Sequence, residues 1–146
     1  MTTAILTKEN IILNAKLSTK EEAIRRTGEV LVSQGYVDDA YIQKMLEREE
    51  LASTYMGNFV AIPHGTEDSK NAVHTSGIAV VQVPDGVDFG EGRVVKLLVG
   101  IAGKNNEHLD ILSNIAIVLS EEENIQTLVE AKSAEEILSL FESVND

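Results

Sequence analysis

Apolar residues recur at helical spacing in five stretches of the chain. Ala23, Ile24, Thr27, Val30 and Leu31 follow Ser18-Thr19-Lys20-Glu21, which reads as a capping box, and Gly35 stands where that helix can close. Asp38-Asp39 opens a second helix with Ile42, Met45 and Leu46 on one face. Asn105-Asn106 caps a third, whose buried stripe is expected to be Leu109, Leu112, Ala116 and Leu119. Ser120, followed by three glutamates, opens a fourth carrying Ile125, Leu128 and Val129. Ser133-Ala134-Glu135-Glu136 is a second capping box, leading to Ile137, Leu138 and Phe141.

Shorter apolar runs predict strands. Ile11-Ile12-Leu13 is one, and Phe59-Val60-Ala61-Ile62, stopped by Pro63, is another. Residues 75–83 are rich in small and β-branched side chains. Residues 94–101 are almost continuously apolar, the pattern of a central strand covered on both faces. Pro84-Asp85-Gly86 predicts the turn after the third strand, with residues 88–92 as a loop. Helices interspersed with strands predict an α/β fold, a sheet with helices on both faces. Two strands joined by a mere loop predict an antiparallel pair, hence a mixed sheet.

Composition narrows this picture. The 146 residues suit one compact domain spanning 1–146, without internal repeat, low-complexity stretch or linker. Aromatics make up 4%, so aliphatic side chains must fill the core. No apolar run approaches the roughly 20 residues of a membrane span, and the N-terminus lacks a signal-peptide layout. There is no cysteine, which removes disulfides, thiolate metal sites and a cysteine nucleophile supplied by this chain. Together these features favour a cytoplasmic location. The net charge of −12 argues against nucleic-acid binding, because phosphate backbones repel such a surface. Much of the acid is clustered at Glu47, Glu49 and Glu50, at 121–123 and at 135–136. It reads as solvated helix faces and helix N-termini, with an acidic rim for a basic partner as the alternative.

Three histidines carry the candidate chemistry. His64 lies in Ala61-Ile62-Pro63-His64-Gly65-Thr66, at a sharp turn after an apolar strand. Proline fixes its own φ, and glycine permits a close approach. The carboxyl end of a strand is where open α/β sheets commonly bind ligands. Neutral imidazole is a nucleophile near neutral pH. The local pattern fits a turn histidine without a chemical task equally well. His108 lies in the first turn of the Asn106-capped helix, where the helix dipole favours a nearby anion and a neutral ring can donate to a phosphoryl oxygen. Its alternative is an amphipathic surface residue. Arg48 ends a helix among acids. It offers either a surface ion pair or a two-pronged guanidinium for phosphate oxygens. His74 has no supporting constellation and reads as structural or solvent-exposed. No metal motif is present, and neither a P-loop nor a GxGxxG turn suggests a nucleotide or other cofactor.

Taken together, several segments resemble the enzyme IIA domains of the bacterial phosphoenolpyruvate-dependent sugar phosphotransferase system, in the mannitol branch of the mannitol/fructose group. They are Thr19-Lys20-Glu21-Glu22-Ala23-Ile24, Met45-Leu46-Glu47-Arg48-Glu49, Thr54-Tyr55-Met56-Gly57-Asn58, Val60-Ala61-Ile62-Pro63-His64-Gly65-Thr66 and Gly100-Ile101-Ala102-Gly103-Lys104-Asn105-Asn106-Glu107-His108. They occur in the family's order and span nearly the whole chain. The match is looser at Ala52-Ser53 and over 85–93, and no site residue is carried there. The resemblance implies a mixed five-stranded sheet flanked by helices. It implies that His64 accepts a phosphoryl group on Nε2 from phospho-HPr and passes it to a cysteine of a IIB domain on another chain, which with a membrane IIC part drives mannitol uptake. It also implies that His108 is the second active-site histidine and Arg48 the phosphate-contacting arginine. Met56, Phe59 and Ile62 are candidates for an apolar partner patch, with Ile62 the best candidate for core. Two rival readings are a nitrogen-related regulatory IIA protein, against which the Asn105-Asn106-Glu107-His108 segment argues, and a noncatalytic ligand-binding or metal module.

Overall fold

The computed structural model describes residues 5–104 and 107–141, with the side chains of Glu67, Lys70 and His108 outside that description. Among the described residues five strands form one sheet, β1 (Ile11–Ile12), β2 (Tyr55–Gly57), β3 (Val60–Ala61), β4 (Gly77–Asp88) and β5 (Val94–Ala102). Their order is β1-β4-β5-β3-β2. β1 runs parallel to β4, and β3 parallel to β5. β4 and β5 are antiparallel, as are β2 and β3. The expected mixed sheet is therefore observed. Both antiparallel pairs are joined by short loops, because two adjacent strands so connected must reverse direction.

Helices cover both faces. α1 (Lys20–Ser33) and α2 (Ala40–Leu51) lie on one, while α3 (Glu107–Leu119), α4 (Glu122–Glu130) and α5 (Ala134–Leu140) lie on the other. Successive side chains of a strand point to opposite faces. Leu97, Val99 and Ile101 accordingly enter the α3–α5 core, while Leu98 and Ala102 enter the α1–α2 core. That double burial is why β5 reads as an unbroken apolar run.

The α1 stripe of Ala23, Ile24, Thr27, Val30 and Leu31 is buried as expected. Its C-terminus closes as a Schellman turn. Gly35 takes φ +80, its N–H donates to Val32 O, and the Tyr36 N–H donates to Leu31 O. The capping box sits one residue later than the sequence pattern places it. Thr19, not Ser18, is the N-cap, its Oγ1 accepting from Glu22 N at 3.1 Å, while Glu22 Oε1 accepts from Ser18 N. At α5, Ser133 caps as expected, accepting from Glu136 N. Asp39 stands at the start of α2 without a side-chain capping bond. The N-cap of α4 is Glu121 rather than Ser120, whose hydroxyl turns back to Ile117 O at 2.7 Å.

Three further expectations are corrected. β4 does not stop at Pro84. It continues through Pro84-Asp85-Gly86 to Asp88, with an irregular register between Gln82 and Val87 that absorbs the proline, a residue tolerated in sheets at bulges. β2 was not read from the residues, because Tyr55-Met56-Gly57 is too short and mixed to show alternation. In α3 Leu119 is buried and Leu112 packs half-buried against the core, as expected, but Leu109 is 59% exposed and Ala116 is also exposed, and Ile111, Ile115 and Val118 complete the buried stripe. Both choices fit a 3.6-residue period, and the sheet covers the side of Ile111, Ile115 and Val118. The Asn105-Asn106 cap lies outside the described residues. No helix among those residues is long and apolar enough to cross a membrane.

Candidate active site

The turn after β3 is held at successive residues. Ile62 N–H donates to Thr54 O at 3.0 Å, and Pro63 O accepts from Ile101 N at 3.0 Å. Gly65 N–H donates to Tyr41 Oη at 2.8 Å, and that hydroxyl donates onward to Ile101 O at 2.8 Å. His64 itself forms a parallel bridge to Ile101 on β5. The turn is thus tied to α2, to β5 and to the segment before β2. Gly65 is required by space: a Cβ there would stand 2.6 Å from the Tyr41 ring.

The His64 ring is oriented by its own backbone. Nδ1 lies 2.8 Å from Ile62 O. A carbonyl oxygen only accepts, so Nδ1 carries the proton, and in the neutral ring the lone pair resides on Nε2. The ring is half-buried in the wall of a cavity of about 760 Å³ that also meets Arg48, Tyr41, Thr66, Leu109 and Leu112.

Arg48 reaches this cavity from the last turn of α2, where its Nη1 donates to Ala52 O at 2.7 Å. Arg48 at the end of α2 and His64 in the turn after β3 thus line one cavity. His108 falls in the first turn of α3, but its side chain lies outside the described set. His74 is elsewhere and exposed, with Nε2 2.6 Å from Asp38 Oδ1.

Burial pushes the Tyr41 hydroxyl up to about 12, despite the opposing hydrogen bond from Gly65, so it remains a neutral donor and acceptor. At the rim, Asp68 accepts from the Thr66 hydroxyl and faces Lys44 at 3.5 Å; both hold its carboxyl below the usual range, the hydroxyl more strongly. No group of three or more His, Asp or Glu side chains among the described residues could hold a metal ion. The cavity combines an oriented imidazole, a guanidinium and an aliphatic rim. That set suits nucleophilic capture of an anionic group.

Sequence reasoning missed Tyr41 and misread Glu49. Tyr41, Met45, Arg48 and Glu49 recur at helical spacing, and an aromatic hydroxyl in a buried stripe needs a partner, which was the available signal. Glu49 is 6% exposed, not on a solvated face. Ile62 packs against the core, as expected. Met56 and Phe59 are half-exposed, but neither lines the His64 cavity; Leu51, Leu109 and Leu112 supply its apolar rim, and Phe59 lines a second cavity with Lys96 and Gln82.

Comparison with known proteins decides the family. Residues 4–144 match the phosphoenolpyruvate-dependent sugar phosphotransferase system, EIIA 2. The chain belongs to this family. Similar members of it include the mannitol-specific phosphotransferase enzyme IIA component of Geobacillus stearothermophilus, 63% identical over 99% of this chain and 100% of that protein. The component of the same name from Bacillus subtilis is 60% identical over 97% of this chain and 99% of its own length. Among solved structures, a complex of enzyme IIAMTL with phosphorylated enzyme IIBMTL from Escherichia coli contains a chain that superposes with a TM-score of 0.89. That chain is 43% identical, with 94% of this chain and 97% of that one covered. The EIIA fold seen here is thus the fold of the family, and the His64 turn is part of the matched region.

Proposed function

We propose that this EIIA is a mannitol-specific phosphocarrier. Its His64 Nε2 attacks the phosphorus of phospho-HPr in line, forming a new N–P bond as the donor's N–P bond breaks. The phosphoryl group then passes to a cysteine of a mannitol IIB domain on another chain, and His64 is regenerated. Arg48 and His108 stabilise the equatorial oxygens, the first by charge and the second by hydrogen bonding. Such transfers rest on alignment and electrostatic stabilisation, with little other covalent work for the protein. The carrier works in the cytoplasm, and the IIB domain couples it to a membrane IIC part.

The observation that carries this reading is the His64 Nδ1–Ile62 O bond, which assigns the lone pair to Nε2 in a cavity shared with Arg48. Mannitol as the sugar is supported by the two bacillar relatives so named. A IIB domain as acceptor is supported by the Escherichia coli complex. The test is incubation with phosphoenolpyruvate, enzyme I and HPr, followed by mass spectrometry and then addition of a mannitol IIB domain. Wild type should gain one acid-labile phosphoryl group and surrender it to IIB. Labelling of His64→Ala at the wild-type rate would overturn the nucleophile. Retention of the label in the presence of IIB would overturn the transport role in favour of a regulatory phosphoprotein.

A further inference from the structure

We infer that Glu49 is a positioning residue whose clamp on Thr54 sets both the His64 ring and the Arg48 guanidinium. Its location is costly. Glu49 lies in the last turn of α2, at the negative end of the helix dipole, with its side chain 3% exposed. Burying a carboxylate is expensive unless it is paired and hydrogen-bonded. Only Oε1 is well served. Oε2 has no hydrogen-bond partner among the described residues, and Lys20 Nζ stands 4.0 Å away. Packing alone would favour an aliphatic side chain here.

What the carboxylate holds explains its presence. Oε1 accepts from Thr54 N at 2.9 Å and from Thr54 Oγ1 at 2.6 Å. Bonds to an ionised acceptor are about twice as strong as neutral ones. Thr54 O then accepts from Ile62 N at 3.0 Å, and Ile62 O accepts from His64 Nδ1 at 2.8 Å. This arm reaches the nucleophile's ring through residue 62. The other arm is shorter. Pinning Thr54 closes the turn after α2, and Ala52 within that turn presents the carbonyl that accepts from Arg48 Nη1 at 2.7 Å. One carboxylate therefore fixes the two groups that must align about a phosphoryl group. A misplacement of 1 Å can cost on the order of a hundredfold in rate.

The effect on transfer rests on the proposed function; the effect on the ring does not, so the test reads both. Nitrogen-15 NMR of the unphosphorylated protein, at a pH where the His64 ring is neutral by its own titration, reports the tautomer. Wild type should show the Nδ1–H form. Glu49→Ala should shift His64 towards mixed tautomers and slow phosphoryl acceptance on the order of ten- to a hundredfold with an unchanged KM for phospho-HPr. Glu49→Gln keeps a carbonyl oxygen for Thr54 and should recover most of the tautomer signature. Thr54→Val, which retains the N–H and loses the hydroxyl, should move both readouts less in the same direction, and it carries the test if Glu49→Ala does not fold. A folded Glu49→Ala or Thr54→Val protein with the wild-type tautomer and rate would overturn the inference. Absence of labelling in wild type would strike the proposed function alone, with the tautomer comparison still deciding the clamp.

Discussion

His64 and His74 are the same residue type in two corners of one fold, and each ring sets a different nitrogen against an oxygen. His64 gives Nδ1 to a backbone carbonyl, whereas His74 sets Nε2 against the carboxylate of Asp38. The kind of acceptor separates them. At His64 a carbonyl orients the neutral ring in the wall of a cavity. At His74 the carboxylate of Asp38 occupies Nε2, the nitrogen that the tautomer of His64 assigns to chemistry. The corner around His74 is also a structural joint, with His74 N bonded to Tyr36 O and Asp38 N to Ala72 O. Exposure alone therefore says little about histidine chemistry; the partner of each nitrogen says more.

The largest expected effect breaks this comparison in one direction only. His64→Ala should lose acid-labile labelling by phospho-HPr entirely, while His74→Ala should be labelled at the wild-type rate, as read by quench-flow and mass spectrometry. Next comes the turn itself. Tyr41→Phe keeps the ring under Gly65 but removes the hydroxyl that serves the Gly65 N–H and Ile101 O, and leaving a buried polar group poorly satisfied costs about 1–3 kcal/mol. Urea unfolding should show a loss in that range, and phosphoryl acceptance should slow while His74 remains paired.

A smaller effect follows from the raised ionisation of Tyr41. The folded state keeps its hydroxyl protonated to about pH 12, while the unfolded chain releases the proton near 10. This contribution is fully present below pH 10 and is lost as pH rises towards 12. Between pH 9 and 11 wild type should lose roughly 1 kcal/mol more than Tyr41→Phe, measured by urea midpoints. The smallest effect belongs to the His74 corner. The pair with Asp38 is more than half exposed on both sides, so His74→Ala should cost less than about 1 kcal/mol. A loss comparable to Tyr41→Phe would show that the two corners are not as different as their geometry indicates.

Much of this was legible in the residues, and the failures have physical reasons. The β5 run and the α1 stripe were readable because burial on one side or both leaves a strong period. The α3 stripe is only partly legible, right at Leu112 and Leu119 and wrong at Leu109 and Ala116, because apolar residues surround that helix and only the sheet decides which side it covers. Pro84 reads as a stop because a proline usually breaks a ladder, and the register irregularity that accommodates it is a tertiary feature. His64 stood out because Pro63 and Gly65 mark a turn. Tyr41 and Glu49 did not, because their roles depend on where residues 54, 65 and 101 come to lie. A glutamate beside other glutamates looks solvated until the chain folds over it.

The bond between His64 Nδ1 and the Ile62 carbonyl has a stereochemical consequence. With that nitrogen committed, the proposed arrival and departure of the phosphoryl group both occur at Nε2. Donor and acceptor then compete for one atom, and neither can act while the other is docked. The resulting double displacement gives parallel lines in reciprocal plots as donor and acceptor are varied. Each in-line step inverts the configuration at phosphorus, so two steps restore it. A phosphoryl group made chiral with oxygen isotopes would reach the acceptor with the handedness it had on the donor.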